Sequence, residues 1–204
     1  MMKRLIIFLV TGILFARCAD NTNKSAFVGD VPTTKTAPLG TLPSESLYSI
    51  KDSFQTQDNN IITLAHFLGK PTVVGMIFTH CAYACPRLTA DIKNIEDSLQ
   101  NENGKVNYLL VSFDPDRDNP AQLKKFADSL KLDKNWTLLH GSDEAVRTLS
   151  VLLNIQYEKD GEGNFSHSNI ISVLDKQGKL AFQKEGLNAN QKETIANIKN
   201  LAKQ

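Results

Sequence analysis

The chain carries almost no net charge: 23 Lys and Arg stand against 22 Asp and Glu, a formal +1 over 204 residues. It has no long basic stripe, so nothing in it favours a nucleic-acid backbone, which is bound through clustered Lys and Arg. It also lacks a Gly-rich phosphate loop and any internal repeat. The apolar stretch Leu5 to Ala16 falls short of the roughly 20 residues that span a bilayer comfortably. Cysteine is scarce, with only Cys18, Cys81 and Cys85. A scaffold stapled by several disulfides is excluded, and each thiol needs its own account.

Cys18 belongs with the start of the chain. Lys3 and Arg4 precede the apolar Leu5 to Ala16, the layout of a secretory signal. With Leu14 upstream and Cys18 at its end, segment 1–18 resembles a bacterial lipoprotein signal, in which the Cys becomes the lipidated N-terminus. Arg17 departs from the small residue such signals carry before the Cys. The plainer reading of Cys18 is an incidental thiol in a simple membrane anchor. Both readings put the body of the protein on the periplasmic or extracytoplasmic face, tethered to the membrane, where disulfides form. Residues 19–43 are rich in Thr, Asn, Ser, Lys and Pro and read as a flexible linker. Residues 44–204 have the length of one domain with its own core.

The other two thiols lie in Thr79-His80-Cys81-Ala82-Tyr83-Ala84-Cys85-Pro86, directly after the apolar run Val73-Val74-Gly75-Met76-Ile77-Phe78. This is where a buried strand ends and a helix begins. A helix starting near Pro86, with Pro at its first position, offers free N–H groups and a positive dipole end. Both are expected to favour thiolate over thiol. Such a pair either binds a soft metal or does disulfide chemistry.

Periodicity places the remaining elements. Leu47–Ile50 and Asn60–Ile62 flank a polar turn and predict an N-terminal β-hairpin; Thr72–Phe78 and Val106–Phe113 read as buried strands. Pro86–Gln100 and Pro120–Leu130 read as amphipathic helices, Trp136–Leu139 as a short strand, and Asp143 as the cap of a helix through Leu153. Asp160-Gly161-Glu162-Gly163 and Asp175-Lys176-Gln177-Gly178 mark two later hairpins, and a helix over Asn190–Ala202 closes the chain. This order predicts an α/β fold: a thioredoxin-like three-layer sandwich with a central mixed sheet and an N-terminal β-hairpin. The cysteine loop then sits at the carboxyl end of a central strand, where open α/β sheets place their sites.

Four separated blocks resemble the Sco (SenC) family of copper-binding, membrane-anchored assembly proteins. They are Gly69-Lys70-Pro71; Phe78 through Pro86 with its two Cys; Val111-Ser112-Phe113-Asp114-Pro115-Asp116-Arg117-Asp118-Asn119-Pro120; and His167-Ser168 ahead of a strand and an Asp-x-x-Gly turn. The resemblance spans about Ser44 to Leu187. It implies a copper site, Cu(I) or Cu(II), made by Cys81, Cys85 and His167. It also implies delivery of copper, or electrons, to a maturing copper enzyme: a cytochrome c oxidase subunit, or a client such as nitrous-oxide reductase. Many relatives carry Pro-Asp where this chain has Ala82-Tyr83, which removes a charge beside the site.

The chemistry agrees with that implication. Two thiolates and an imidazole are soft-to-borderline donors suited to copper, whereas structural zinc asks for a fourth ligand. His80 is the competing imidazole, but a side chain adjacent in sequence to Cys81 is expected to point elsewhere. His66 and His140 read as surface or packing residues, and Met76 and Trp136 as core. Tyr83 reads equally as an exposed neighbour of the site or as packing. The Asp114–Asp118 loop reads as a turn in which Asp118 or Asn119 caps the next helix; its alternative is an acidic rim that orients a partner or braces the metal loop.

The main rival is a thiol–disulfide reductase in which Cys81 and Cys85 are the redox pair acting on a client copper site. Against it, dithiol enzymes of this fold use C-x-x-C, and no proline lies near Ser166–Asn169 to form the loop that faces their thiols. A peroxidase is disfavoured because Thr79 precedes Cys81 by two residues rather than three. A docking module without chemistry would not need Cys, Cys and His together. Nothing demands more than a monomer.

Overall fold

The computed structural model describes residues 42–204 except residue 103. The signal-like segment, Cys18 and linker residues 19–41 lie outside the described residues. In chain order the strands are β1 (Ser53–Thr56), β2 (Ile61–Thr63), β3 (Thr72–Ile77), β4 (Asn107–Ser112), β5 (Trp136–His140), β6 (Tyr157–Lys159), β7 (Phe165–His167), β8 (Ile170–Leu174) and β9 (Leu180–Glu185). Seven of them form one sheet in the order β2-β1-β5-β4-β3-β8-β9, while β6 and β7 pair separately as a ribbon. The sheet is mixed, as expected. β3, β4 and β5 are parallel, and β1 and β8 run antiparallel to their central neighbours.

Parallel strands need crossovers, supplied here by α1 (Ala84–Ser98) between β3 and β4 and α2 (Pro120–Ser129) between β4 and β5. α3 (Asp143–Leu152) follows β5, and α4 (Lys192–Lys203) ends the chain. Every residue of β3 and β8 is buried. Because strand side chains alternate in direction, that pattern requires cover on both faces of the sheet, the three-layer arrangement. α1 turns Cys85, Leu88, Ile92 and Ile95 inward as one stripe. Gly75 allows this approach: a Cβ there would lie 2.9 Å from Ile92 Cδ1 and 3.2 Å from Leu110 Cδ2.

Three local expectations are corrected. The N-terminal hairpin exists, but its first arm is Ser53–Thr56; Leu47–Ser49 is a 3-10 turn capped by the Ser46 hydroxyl. Its apolar residues serve burial rather than pairing, since Tyr48 sinks into the core with its hydroxyl 2.7 Å from Thr72 Oγ1. Ser142, not Asp143, caps α3, its hydroxyl accepting the Ala145 N–H at 3.2 Å. α1 begins at Ala84, two residues before Pro86, so Pro86 occupies the third helical position rather than the first. Its missing N–H is still among the four that a helix start leaves unpaired.

Candidate metal centre

β3 ends at Ile77, and the chain turns through the Cys81 N–H to Phe78 carbonyl bond of 3.3 Å before α1 begins. No side chain at Tyr83, the residue before α1, caps the helix. The Cys81 sulfur does so instead, accepting the Cys85 N–H at 3.3 Å. The Cys85 sulfur in turn accepts the Phe78 N–H at 3.3 Å. Both cysteines are free thiols, Cys81 half-buried and Cys85 buried.

His167 arrives from β7 on the separate ribbon. Its Nε2 lies 3.7 Å from Cys85 Sγ and its Nδ1 lies 3.2 Å from the Ser168 carbonyl. A carbonyl oxygen only accepts, so Nδ1 carries the proton and Nε2 presents its lone pair to the thiols. Phe113 packs against the imidazole at 4.9 Å between ring centres, and Phe78 meets it edge-on at 6.1 Å. Burial pushes the His167 imidazole below its ordinary value, partly offset by the Ser168 carbonyl, which keeps it neutral and able to donate electrons. One donor atom each from Cys81, Cys85 and His167 lies within 4.8 Å of the other two.

The expectation of a favoured thiolate fails for Cys85. Burial raises its thiol well above the ordinary range, and this outweighs the Phe78 N–H; the neighbouring Cys81 and Asp118 raise it further. Cys85 is therefore a protonated thiol at neutral pH, and a metal ion entering here must displace that proton.

The other candidates sort cleanly. His80 is half-exposed and turns from the thiols toward Asp118, with Nδ1 3.6 Å from Oδ1. Tyr83 is 73% exposed, so its ring stands in solvent beside the thiols rather than in the core. Met76 and Trp136 are core. His66 stacks edge-on against Phe67, and His140 sits half-buried on β5 opposite Gln55. Asp114 and Asp118 are fully buried, so they form no acidic rim; only Asp116 of the three is exposed. Asn119, not Asp118, caps α2, accepting the Gln122 N–H at 3.0 Å. Asp118 instead accepts from Thr79 N–H at 2.8 Å, Thr79 hydroxyl at 2.5 Å and Ser112 hydroxyl at 2.6 Å, bracing the cysteine loop. Sequence reasoning quoted Phe78, Ser112, Phe113 and Ser168 only as members of the resembling blocks and gave them no role in the site. No spacing marks them; only their contacts do.

The SCO1/SenC family model matches residues 44–203. The chain belongs to the SCO1/SenC family. Within the family it is 30% identical over 152 residues to a SCO1 protein homolog of Bacillus subtilis, covering 72% of this chain and 79% of that one. ScoI of Bradyrhizobium japonicum, solved with copper bound, superimposes with a TM-score of 0.64 at 25% identity, covering 74% of this chain and 96% of that structure. BsSco, a member of the Sco family of cytochrome c oxidase assembly proteins in which a disulfide switch was identified, gives a TM-score of 0.66 at 25% identity, covering 80% of this chain and 98% of that structure. These superpositions agree with the thioredoxin-like reading of this SCO1/SenC domain.

Proposed function

We propose that this chain is an extracytoplasmic copper chaperone, anchored to the membrane through its N-terminus with Cys18 as the lipidated residue. It delivers copper to the copper centre of a respiratory enzyme, cytochrome c oxidase being the client that best fits the family. The observation that carries the reading is the convergence of Cys81 Sγ, Cys85 Sγ and His167 Nε2 within 4.8 Å.

That donor set fits copper. Donors bonded at roughly 2.0–2.3 Å to one trigonal ion stand roughly 3.5–4 Å apart, so little contraction is needed. Two thiolates and a neutral imidazole match the softness of Cu(I), and two negative charges balance Cu(II). Cys81, Cys85 and His167 would hold the ion; as cargo it exchanges ligands with the client one thiolate at a time. Cys81 is half-exposed and Cys85 buried, so the order of exchange starts at Cys81. The Ser168 carbonyl keeps the proton on Nδ1 and leaves Nε2 free for the ion.

A second reading draws on the two sulfurs lying within 4.8 Å of each other and on the disulfide switch of BsSco. Here the Cys81–Cys85 dithiol reduces an oxidised cysteine pair in the client's copper site. Two electrons and two protons leave this chain, a disulfide forms between its thiols, and the client's disulfide becomes two thiols.

An anaerobic Cu(II) titration of the reduced domain, run beside Cys81→Ala, Cys85→Ala and His167→Ala, separates the two. The chaperone reading expects one tight copper per chain and a thiolate-to-copper absorption band that all three variants lose. Absence of tight copper, with a Cys81–Cys85 disulfide that cycles readily against an oxidised client peptide, would replace it by the reductase.

A further inference from the structure

We infer that the Asp114–Asp118 loop sets the distance between the thiols and His167, and that Arg117 is the positioning residue through which it holds the imidazole side. The inference rests on reading the three donors as one metal site.

His167 needs such a device because it does not lie on the main sheet. Among the described residues its strand β7 pairs only with β6, three residues against three. A two-stranded ribbon of that size is marginal alone, so the position of His167 depends on what grips the ribbon. Aromatic packing of Tyr157 and Phe165 on Phe113 provides part of the grip. Such contacts are weakly directional and do not fix a position along the ribbon.

The loop supplies the directional part. The Arg117 guanidinium donates through Nη2 to the Gly163 carbonyl at the ribbon's tip and through Nε to Asp114 Oδ2. Gly163 has φ +83°, and a Cβ there would lie 3.4 Å from Arg117 Nη1, so the tip is shaped to receive the guanidinium. Lys159 of β6 adds a second tie, with Nζ 2.8 Å from Asp116 Oδ2 and 3.8 Å from Asp114 Oδ1. The other end of the loop grips the thiol side through Asp118 and Thr79, two residues before Cys81.

Internal bonds make the two grips one body. The Ser112 hydroxyl donates to Asp118 and accepts the Asp114 N–H at 3.0 Å, and the Asp118 N–H donates to the Asp114 carbonyl at 2.9 Å. Two fully buried carboxylates in five residues are an expensive way to build a turn. Charge-assisted bonds at fixed angles, to Arg117 from Asp114 and to Thr79 and Ser112 from Asp118, are what they supply that an apolar turn could not.

The test uses Arg117→Gln and the double variant Asp114→Asn with Arg117→Gln. The double variant removes the guanidinium's reach without leaving a buried carboxylate unpaired. In reduced, metal-free protein, backbone order parameters of residues 157–167 should fall from about 0.85 to below about 0.6. Those of residues 81–84 should stay unchanged. Copper affinity, read by competition with a Cu(I) chelator, should weaken about 10–100-fold. Added to His167→Ala, the Arg117 change should cause no further loss, because a donor already removed cannot be mispositioned. A ribbon that stays rigid, or affinity losses that simply add, would overturn the inference. If the unaltered protein takes up no copper, the chaperone reading fails by itself, and ribbon mobility still decides for or against Arg117.

Discussion

Asp118 gives the sharpest test of how the cysteine loop is held. Asp118→Asn keeps the shape and removes the charge. In the native protein one oxygen accepts from Thr79 N–H and Ser112 hydroxyl, and the other accepts from the Thr79 hydroxyl. The amide of Asn can reproduce only one of these faces. With its carbonyl toward Thr79 N–H and Ser112, its NH2 meets the Thr79 hydroxyl. That oxygen already accepts from Gln122 Nε2 at 3.1 Å and must now accept again, so its own proton turns to His80 Nδ1 at 3.4 Å. The substitution therefore weakens two charge-assisted bonds and exchanges the third for a longer bond to a half-exposed imidazole. Bonds to a charged group are worth about 1.5–3 kcal/mol each, and bonds to a neutral one about 0.5–1.5 kcal/mol. Weakening is not loss, so the expected cost is about 2–4 kcal/mol. Urea unfolding of the reduced domain at neutral pH should show a midpoint lower by about 1–2 M at unchanged slope. A loss below about 0.5 kcal/mol would refute the reasoning, because the three bonds could then contribute nothing net.

Two further substitutions probe sites away from the thiols. Gly178→Ala places a Cβ 2.5 Å from the Tyr48 ring in a residue at φ +82°; left-handed strain and overpacking together should cost about 2–4 kcal/mol in urea unfolding, and a change within about 0.5 kcal/mol would contradict the packing described. Glu96 is held above the usual carboxylate range by burial, partly offset by the Trp136 indole N–H at 2.8 Å. The folded state therefore binds this proton more tightly than the unfolded one, and stability falls as pH rises from the unfolded value through the folded value. Glu96→Gln should raise the melting temperature relative to the unaltered protein at pH 7, with the advantage gone by about pH 4; an equal difference at both pH values would rule this out.

The strands of the sheet were legible because they are apolar runs bounded by turn residues, and the cysteine loop because it follows one of them. Burial of β3 on both faces leaves a continuous run from Thr72 to Ile77 that no helix period fits. Periodicity failed where burial comes without pairing. Leu47, Tyr48 and Ile50 look like one arm of a hairpin, yet the Ser46 cap and the plug under Tyr48 give a 3-10 turn. It failed again at Cys85. A helix start alone predicts an acidified thiol, but Cys85 is buried once the core assembles, with His167 arriving beside it from a ribbon 82 residues away. Capping is a local signal, and it left Asp118 and Asn119 as equal candidates; Asn119 takes the cap, while the partners of Asp118 are Thr79 and Ser112, 39 and 6 residues away.

The plug beneath Tyr48 bears on how the domain can be held by its N-terminal side. The Leu47 N–H donates to the Gly178 carbonyl at 2.9 Å, and the Ser46 hydroxyl donates to the Gln177 carbonyl, so the chain enters at the β8–β9 turn. Thr72 pairs with Leu174 at that end of β3, and the thiols follow the opposite end. The five steps between the six residues of β3, at about 3.3 Å each, separate the two poles by about 17 Å. A tag, a bead or a surface pulling on Ser46 and Leu47 would thus grip the domain from behind, leaving the pole that carries Cys81, Cys85 and His167 free like the working end of a tool.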